Sequence, residues 1–341
     1  MHRLISTVLV WCWLGSNSQA GAAEPGALFA SHEPLAIEIF ANFRNLCDDP
    51  DRQECPDLPA LIVYQDSAGI EHRIETGLRV RGRWKEITAN CTLPSLFLIS
   101  EPDAISETLF EGQDSLPLAT HCRNTEGYEQ YLLKEFLAYR LYNALTDKSL
   151  RVRLVQIAYH ETNGLSSTRT RYGFFIEHFR ALAERVGATV WEPPGQFDPA
   201  ESDTFELDVQ ALFQYMIGNT DWSILAGHNI LYLRGSDWVT PVPFDFDYSG
   251  LVNAAYAAPD PKLGLRFVTQ RAYRGFCRED SDWPELFSYF DSRYDTLFEL
   301  AAAVPDLSRS QKRRVERYLE SFYEILQSER KREVRIVQRC R

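Results

Sequence analysis

Near residue 178 the spacing of apolar residues changes, and that change limits the chain to a sheet-rich half followed by a helical one. Upstream, Arg73-Ile-Glu-Thr-Gly-Leu-Arg-Val-Arg81 alternates apolar and polar residues, the period of a half-buried strand. Pro34 to Phe40, Ala60 to Tyr64, Ser95 to Ile99 and Leu116 to Thr120 carry similar strand character, and Asp66-Ser-Ala-Gly69 supplies a hairpin turn. Arg151 to Tyr159 and Arg171 to Ile176 predict another hairpin around Asn163-Gly164, and one amphipathic helix, Glu126 to Ala144, interrupts the strands. Beyond Phe179, helical spacing returns over Trp283 to Ala303 and Ser308 to Arg335. The expectation is an α+β chain with an antiparallel sheet plus one helix in residues 24–178 and a mainly helical part in 179–341. With 45% hydrophobic and 25% charged residues, the composition is that of a folded globular chain.

The chemistry concentrates between Asp221 and Asp247. Asp208 can cap a helix whose Val209, Leu212, Phe213, Met216 and Ile217 fall on one face, and Gly218-Asn219 ends it. A polar loop with Asp221 and His228-Asn229 follows. Asn229 to Leu233 and Trp238 to Phe244 then read as two strands around the turn Arg234-Gly-Ser-Asp237, with Pro241 and Pro243 suggesting an edge. Such a hairpin returns Asp245 to the side from which Asn229 leaves. On a strand, Asp245 and Asp247 would also present both carboxylates to one face. Two like charges so close call for a cation. A carboxylate base and oxygen donors for Mg²⁺ are the parts of a phosphoryl-transfer site. His228 reads as a positioning residue, because no serine or cysteine pairs with it recognisably.

Gly218-Asn-Thr-Asp221, His228-Asn229 before an apolar-aromatic strand, and Pro243-Phe-Asp245-Phe-Asp247-Tyr-Ser249 resemble the C-terminal signature of the CotH kinase family. Leu78-Arg-Val-Arg81-Gly82-Arg83-Trp84, Tyr131-Leu-Leu-Lys134-Glu135-Phe-Leu-Ala138-Tyr139 and Tyr172-Gly-Phe-Phe-Ile-Glu177 resemble earlier family segments in order, so the resemblance spans roughly residues 75–250. It implies a two-lobed protein-kinase-like fold, with an antiparallel-sheet N-terminal lobe and a mainly helical C-terminal lobe. It further implies ATP and Mg²⁺ as cofactors, Asp221 as the catalytic-loop aspartate, and Asn229, Asp245 and Asp247 as metal ligands. Arg81 or Arg83 would approach the phosphates, Glu135 would orient a phosphate-binding cation, and Glu177 would begin a nucleotide-holding hinge.

One departure matters. A kinase-like N-terminal lobe offers a strand lysine to the phosphates, and the strands Ser95 to Ile99 and Leu116 to Thr120 contain none. Arg123, Lys85 or Lys134 could substitute, since phosphate needs a cation rather than one residue type. The implied function is an exported kinase phosphorylating a protein or another extracytoplasmic acceptor. A non-catalytic pseudokinase scaffold and a metal-dependent phosphoesterase are the alternatives.

Residues 1–23 read as a signal peptide: His2-Arg3, an apolar run from Leu4 to Leu14, then small residues to Ala23. The run falls short of the ~20 residues that span a bilayer, and no later stretch is more apolar, so a periplasmic or secreted chain is expected. Removing Cys12 with the leader leaves six of seven cysteines, an even number in a disulfide-permissive setting. Proximity suggests Cys47 with Cys55, Cys91 with Cys122, and Cys277 with Cys340. Without a Cys-x-x-Cys, zinc is the weaker reading. A net charge of -12 argues against a nucleic-acid partner.

Overall fold

The computed structural model describes residues 26–46, 56–82, 91–164, 168–193 and 195–340. The leader, the Cys47–Cys55 pairing, Arg83 and Lys85 lie outside the described residues. Seven strands form a closed barrel: β1 (Leu35–Ala41), β2 (Leu58–Gln65), β3 (Glu71–Val80), β4 (Leu96–Ile99), β5 (Ser115–Ala119), β6 (Val152–Glu161) and β7 (Arg169–Ile176). Their order is β1-β2-β3-β4-β5-β7-β6, and β6 returns to β1 in parallel, with Leu35 opposite Val155 and Ala41 opposite Glu161. This corrects the expected kinase-like fold. An antiparallel sheet with two free edges is replaced by a mixed barrel with none, because the β1–β6 pairing satisfies backbone groups that an open sheet would present to solvent.

Burial follows the alternation read from the sequence. In β1 the inward residues Leu35, Ile37 and Ile39 are buried while Ala36 and Glu38 are exposed. The barrel interior is filled by Ile39, Ile62, Ile74, Leu98, Leu116 and Phe175, among others. A short helix α1 (Pro102–Ile105) and the long α2 (Glu126–Asn143) leave the barrel between strands. Neighbouring residues of β6 and β7 serve two cores: Val155 and Phe175 point into the barrel, whereas Leu154 and Phe174 face the second core with α2. Phe136 and Tyr139 of α2 lie against Phe174, at ring separations of 5.9 and 5.6 Å.

The second core gathers α3 (Phe179–Arg185), α4 (Thr204–Ile217), α5 (Trp283–Ser292), α6 (Tyr294–Ala303) and α7 (Arg309–Leu326), followed by α8 (Glu329–Arg335). It also holds a three-stranded sheet of β8 (Thr189–Trp191), β9 (Ile230–Arg234) and β10 (Val239–Pro243). The proline-bearing β10 is an edge of that sheet, as its missing donors require. Helix α4 starts earlier than expected. Its cap is Asp203, whose carboxylate accepts the Glu206 N–H at 3.0 Å, while Asp208 lies buried inside the helix. The Trp283–Ala303 and Ser308–Arg335 segments each break into two helices, at Arg293 and at Gln327-Ser328. Disulfides join Cys91 to Cys122 and Cys277 to Cys340. Among the described residues no helix is long and apolar enough to cross a membrane.

Candidate functional site

Helix α4 ends at Gly218, whose φ of 64° lies in the left-handed region; a Cβ there would fall 2.0 Å from the Tyr318 hydroxyl. This tight stop aims Asn219 and Asp221 at one loop. The buried Asn219 side chain accepts the Asp221 N–H at 3.0 Å, and its carbonyl accepts the Trp222 indole N–H at 3.1 Å. Paired backbone bonds between Ser223 and His228 (3.0 and 3.1 Å) close the loop, returning His228 and Asn229 to Asp221. His228 Nε2 lies 2.9 Å from Asp221 Oδ1, and Asn229 Nδ2 donates to the Asp221 carbonyl at 2.8 Å and to Oδ2 at 3.2 Å. Both carboxylate oxygens are thereby oriented, and Asn229 keeps Oδ1 as an unspent acceptor among the described residues.

The β9–β10 hairpin sets Ile230 opposite Pro243, and the Phe244 N–H donates to the Asn229 carbonyl at 3.1 Å. The hairpin therefore does bring its ends together. Asp245 and Asp247 converge by a different route from the one expected. They follow the strand rather than extend it, and Asp245 has a φ of 64°, left-handed like Asn229 at 53°. Such residues are uncommon outside glycine and need support from their surroundings. Helix α2 provides it through an i, i+4 pair. Tyr139 accepts the Asp245 N–H at 2.9 Å, and the Glu135 carboxylate accepts the Phe246 N–H. Phe246, fully buried, packs edge-on to Tyr139 at 4.7 Å and Phe213 at 5.4 Å.

Three carboxylates thus meet in a half-buried cleft. The Asp245 and Asp247 side chains share a hydrogen bond, and the Tyr256 hydroxyl donates to Asp247. Burial raises the Glu135 carboxyl well above its usual range, reinforced by the charges of Asp247 and Asp245 and opposed by Arg81. Burial followed by the Asp245 charge does the same to Asp247. Asp245 is raised by burial, with Arg81 opposing, and the nearby Asp221 charge adds to the rise. Removing water from adjacent carboxylates penalises their ionised forms, so the group as it stands holds protons or calls for a cation.

Arg81 follows β3, where its N–H donates to Ser95 O at 2.8 Å, and its charge reaches Glu135 and Asp245 without forming an ion pair among the described residues. Lys134 turns elsewhere. Its ammonium is hydrogen-bonded to the Val252 carbonyl and lies 5.2 Å from the Tyr131 ring; burial and Arg314 lower it to about 8. Arg123 sits over the Tyr128 ring at 5.3 Å. Tyr128 and Tyr131 both contact Tyr256, which links these two cations to the wall of the cleft. Glu177 is remote in role. It is 4% exposed and clamped by Arg185 Nε and Nη2, each at 2.8 Å, and by the Arg151 N–H at 3.0 Å.

The structure therefore brings together Asp221, Asn229, Asp245, Asp247, Glu135 and Arg81, and leaves Lys134, Arg123 and Glu177 with other partners. Tyr256 had no sequence signal, sitting in an Ala-Ala-Tyr-Ala run without a motif; Asn219 lay inside the Gly218-Asn-Thr-Asp221 stretch but was read only as a helix stop. A cavity of about 780 Å³, lined by Asp221, His228, Tyr248, Lys262 and Arg274, opens on the Asp221 side. Among the described residues no group of three or more His, Cys, Asp or Glu is arranged around a common metal position. The donor set still suits Mg²⁺, which takes one or two carboxylates and fills its shell with water and phosphate oxygens. No family model matches the chain, and no curated protein matches it in sequence.

Proposed function

We propose that the cleft between α2 and the Asp221–Asp247 segment carries out divalent-cation-dependent phosphoryl transfer from ATP to a hydroxyl acceptor. The observation that carries this reading is the trio of raised carboxylates, Asp245, Asp247 and Glu135, held beside an oriented Asp221 that faces an open cavity. In this reading Asp245, Asp247 and Asn229 Oδ1 hold Mg²⁺, which neutralises charge on the phosphates. Asp221, with one oxygen fixed by His228 and the other by Asn229, accepts the acceptor's proton. Arg81 supplies the cation on the phosphate side, and Glu135 and Tyr139 keep the left-handed Asp245 turn in place. The motif order resembling the CotH kinase family supports the chemistry; the barrel departs from that family's expected lobe, so the proposal rests on the site.

We propose further that the chain is exported, a reading supported by residues 1–23 and by two disulfides in a chain of this size. Its acceptor would then be an extracytoplasmic protein or another exported molecule. One observation favours a second reading, a nucleotide-binding scaffold without transfer: Lys134 is spent on Val252, which leaves Arg81 as the phosphate-side cation among the described residues.

Calorimetry with ATP and Mg²⁺, paired with a transfer assay, separates the readings. Metal-dependent ATP binding is expected in the intact protein and its loss in Asp245→Asn. Asp221→Asn should bind ATP normally while transfer falls about 10²- to 10⁴-fold, the usual contribution of a general base. Binding without transfer would favour the scaffold. Absence of binding would end both, and phosphate release from simple esters without nucleotide would point to a phosphoesterase.

A further inference from the structure

Away from the acidic cleft, the guanidinium groups of Arg140 and Arg153 form no ion pair among the described residues. Arg140 of α2 is half-buried, and its Nη1 hydrogen-bonds Nδ1 of His32, a ring nitrogen that offers a lone pair and no charge. It forms no ion pair among the described residues, and burial lowers its pKa with no carboxylate opposing. Arg153, 7% exposed, donates from Nη1 to the Leu28 and Ser31 carbonyls at 3.3 and 2.8 Å, while its Nε is buried without a partner. Burial, followed by the charges of Arg140, Arg153 and Arg151, disfavours protonation of His32. With Nδ1 taken by Arg140, the ring keeps its proton on Nε2. The acids nearby are both exposed: Glu33, whose charge acts on Arg153 and His32, and Asp147, which lines the cavity; Arg185 is committed to Glu177.

Arg140, but not Arg153, borders this cavity. Between the barrel and α2 a space of about 550 Å³ is lined by His32, Arg140, Asn143, Arg151 and the exposed Asp147, together with apolar Phe29 and Leu300. That size falls within the range of small-molecule sites and exceeds what a bare phosphate needs. Arg140 lies five residues beyond Glu135, about 140° around the helix, so the cavity is separate from the acidic cleft.

We propose that this cavity binds a phosphate group carried on a small organic molecule or a lipid headgroup. Arg140 and Arg151 supply planar donor pairs matched to its oxygens, His32 Nε2 supplies a further donor, and the polar and apolar wall receives the organic part. The proposal does not depend on phosphoryl transfer at the acidic cleft.

Calorimetry on the full exported chain, with EDTA present so that the acidic cleft cannot recruit phosphate through a metal, tests this. Inorganic phosphate and glycerol 3-phosphate should bind the intact protein and Asp245→Asn alike. Arg140→Gln and the exposed Arg151→Gln should each weaken binding at least about tenfold; the second is a surface change that leaves folding intact. Sedimentation with phosphatidylglycerol vesicles, against phosphatidylcholine controls, separates the sources. Vesicle binding that requires Arg140 and Arg151 identifies a headgroup, and soluble phosphate binding alone identifies a free phosphomonoester. No binding of phosphate, glycerol 3-phosphate or anionic vesicles, or binding unchanged in both arginine variants, overturns the proposal.

Discussion

The Glu177 clamp and the Asp245–Asp247–Glu135 cluster both remove carboxylates from water, and they treat them in opposite ways. Glu177 is enclosed and fully answered: two nitrogens of Arg185 and the Arg151 N–H take its oxygens, and Arg185 in turn donates to the Asp147 and Ser149 carbonyls at 2.9 and 2.8 Å. Asp245, Asp247 and Glu135 receive a few hydrogen bonds and one distant cation, and each is pushed toward its protonated form. A buried pair that closes on itself joins barrel to helix. A buried cluster left short of positive charge is set up for something the chain does not itself supply. The resemblance implied a role for each, Glu135 beside a phosphate-binding cation and Glu177 at a hinge; their partners in the fold separate a closed ion pair from an open cluster.

Substitutions can break that contrast. The largest stability effect is expected at the clamp: Arg185→Met leaves Glu177 buried and unpaired, and chemical denaturation should show a loss of about 3–5 kcal/mol. A variant losing under about 1 kcal/mol would mean that water reaches Glu177 and that the two regions differ little. Asp247→Asn should move the other way. Removing one of the adjacent charges is expected to raise metal-free stability at pH 8 by about 1–2 kcal/mol while abolishing function, the trade-off of a strained functional site.

Asp208 gives a pH test that bears on neither site. Burial, partly offset by Ser281 and Arg278, raises its carboxyl to about 6. A folded pKa above the unfolded value means that the folded chain binds the extra proton, so the Asp208 contribution to stability is fullest below about pH 4 and declines as pH rises through 6. Asp208→Asn should therefore gain on the order of 2 kcal/mol relative to the parent between pH 4 and pH 8. A difference independent of pH would show that Asp208 titrates normally. The smallest effect is expected at His228→Gln. Its exposed bond to Asp221 contributes within about 1 kcal/mol of stability, so thermal melts should hardly change while the rate of transfer falls and ATP affinity holds.

Local structure was legible in the sequence, and long-range closure was not. The helix stop at Gly218, the loop to Asn229 and the β9–β10 hairpin follow from neighbouring residues, so the meeting of Asp221, Asn229 and Asp245 could be anticipated. Barrel closure joins β1 to β6 across more than a hundred residues of sequence, and nothing in either strand's alternation announces its partner. Lys134 misled for a simpler reason. Adjacent helix residues point about 100° apart, so Lys134 and Glu135 cannot both enter one cleft, and the sequence could not say which did. The Asp245–Asp247 pairing was anticipated on strand alternation, yet a left-handed turn supported by Tyr139 and Glu135 brings it about.

The central claim is that Asp245, Asp247 and Glu135 form a site short of one cation. Thermal melts at pH 8 of the intact protein and Asp247→Asn, each with EDTA and with millimolar Mg²⁺, test it most directly. Mg²⁺ is expected to raise the intact protein's Tm, and Asp247→Asn to melt higher in EDTA and no longer respond to Mg²⁺. An intact protein indifferent to Mg²⁺, with Asp247→Asn melting lower, would contradict it.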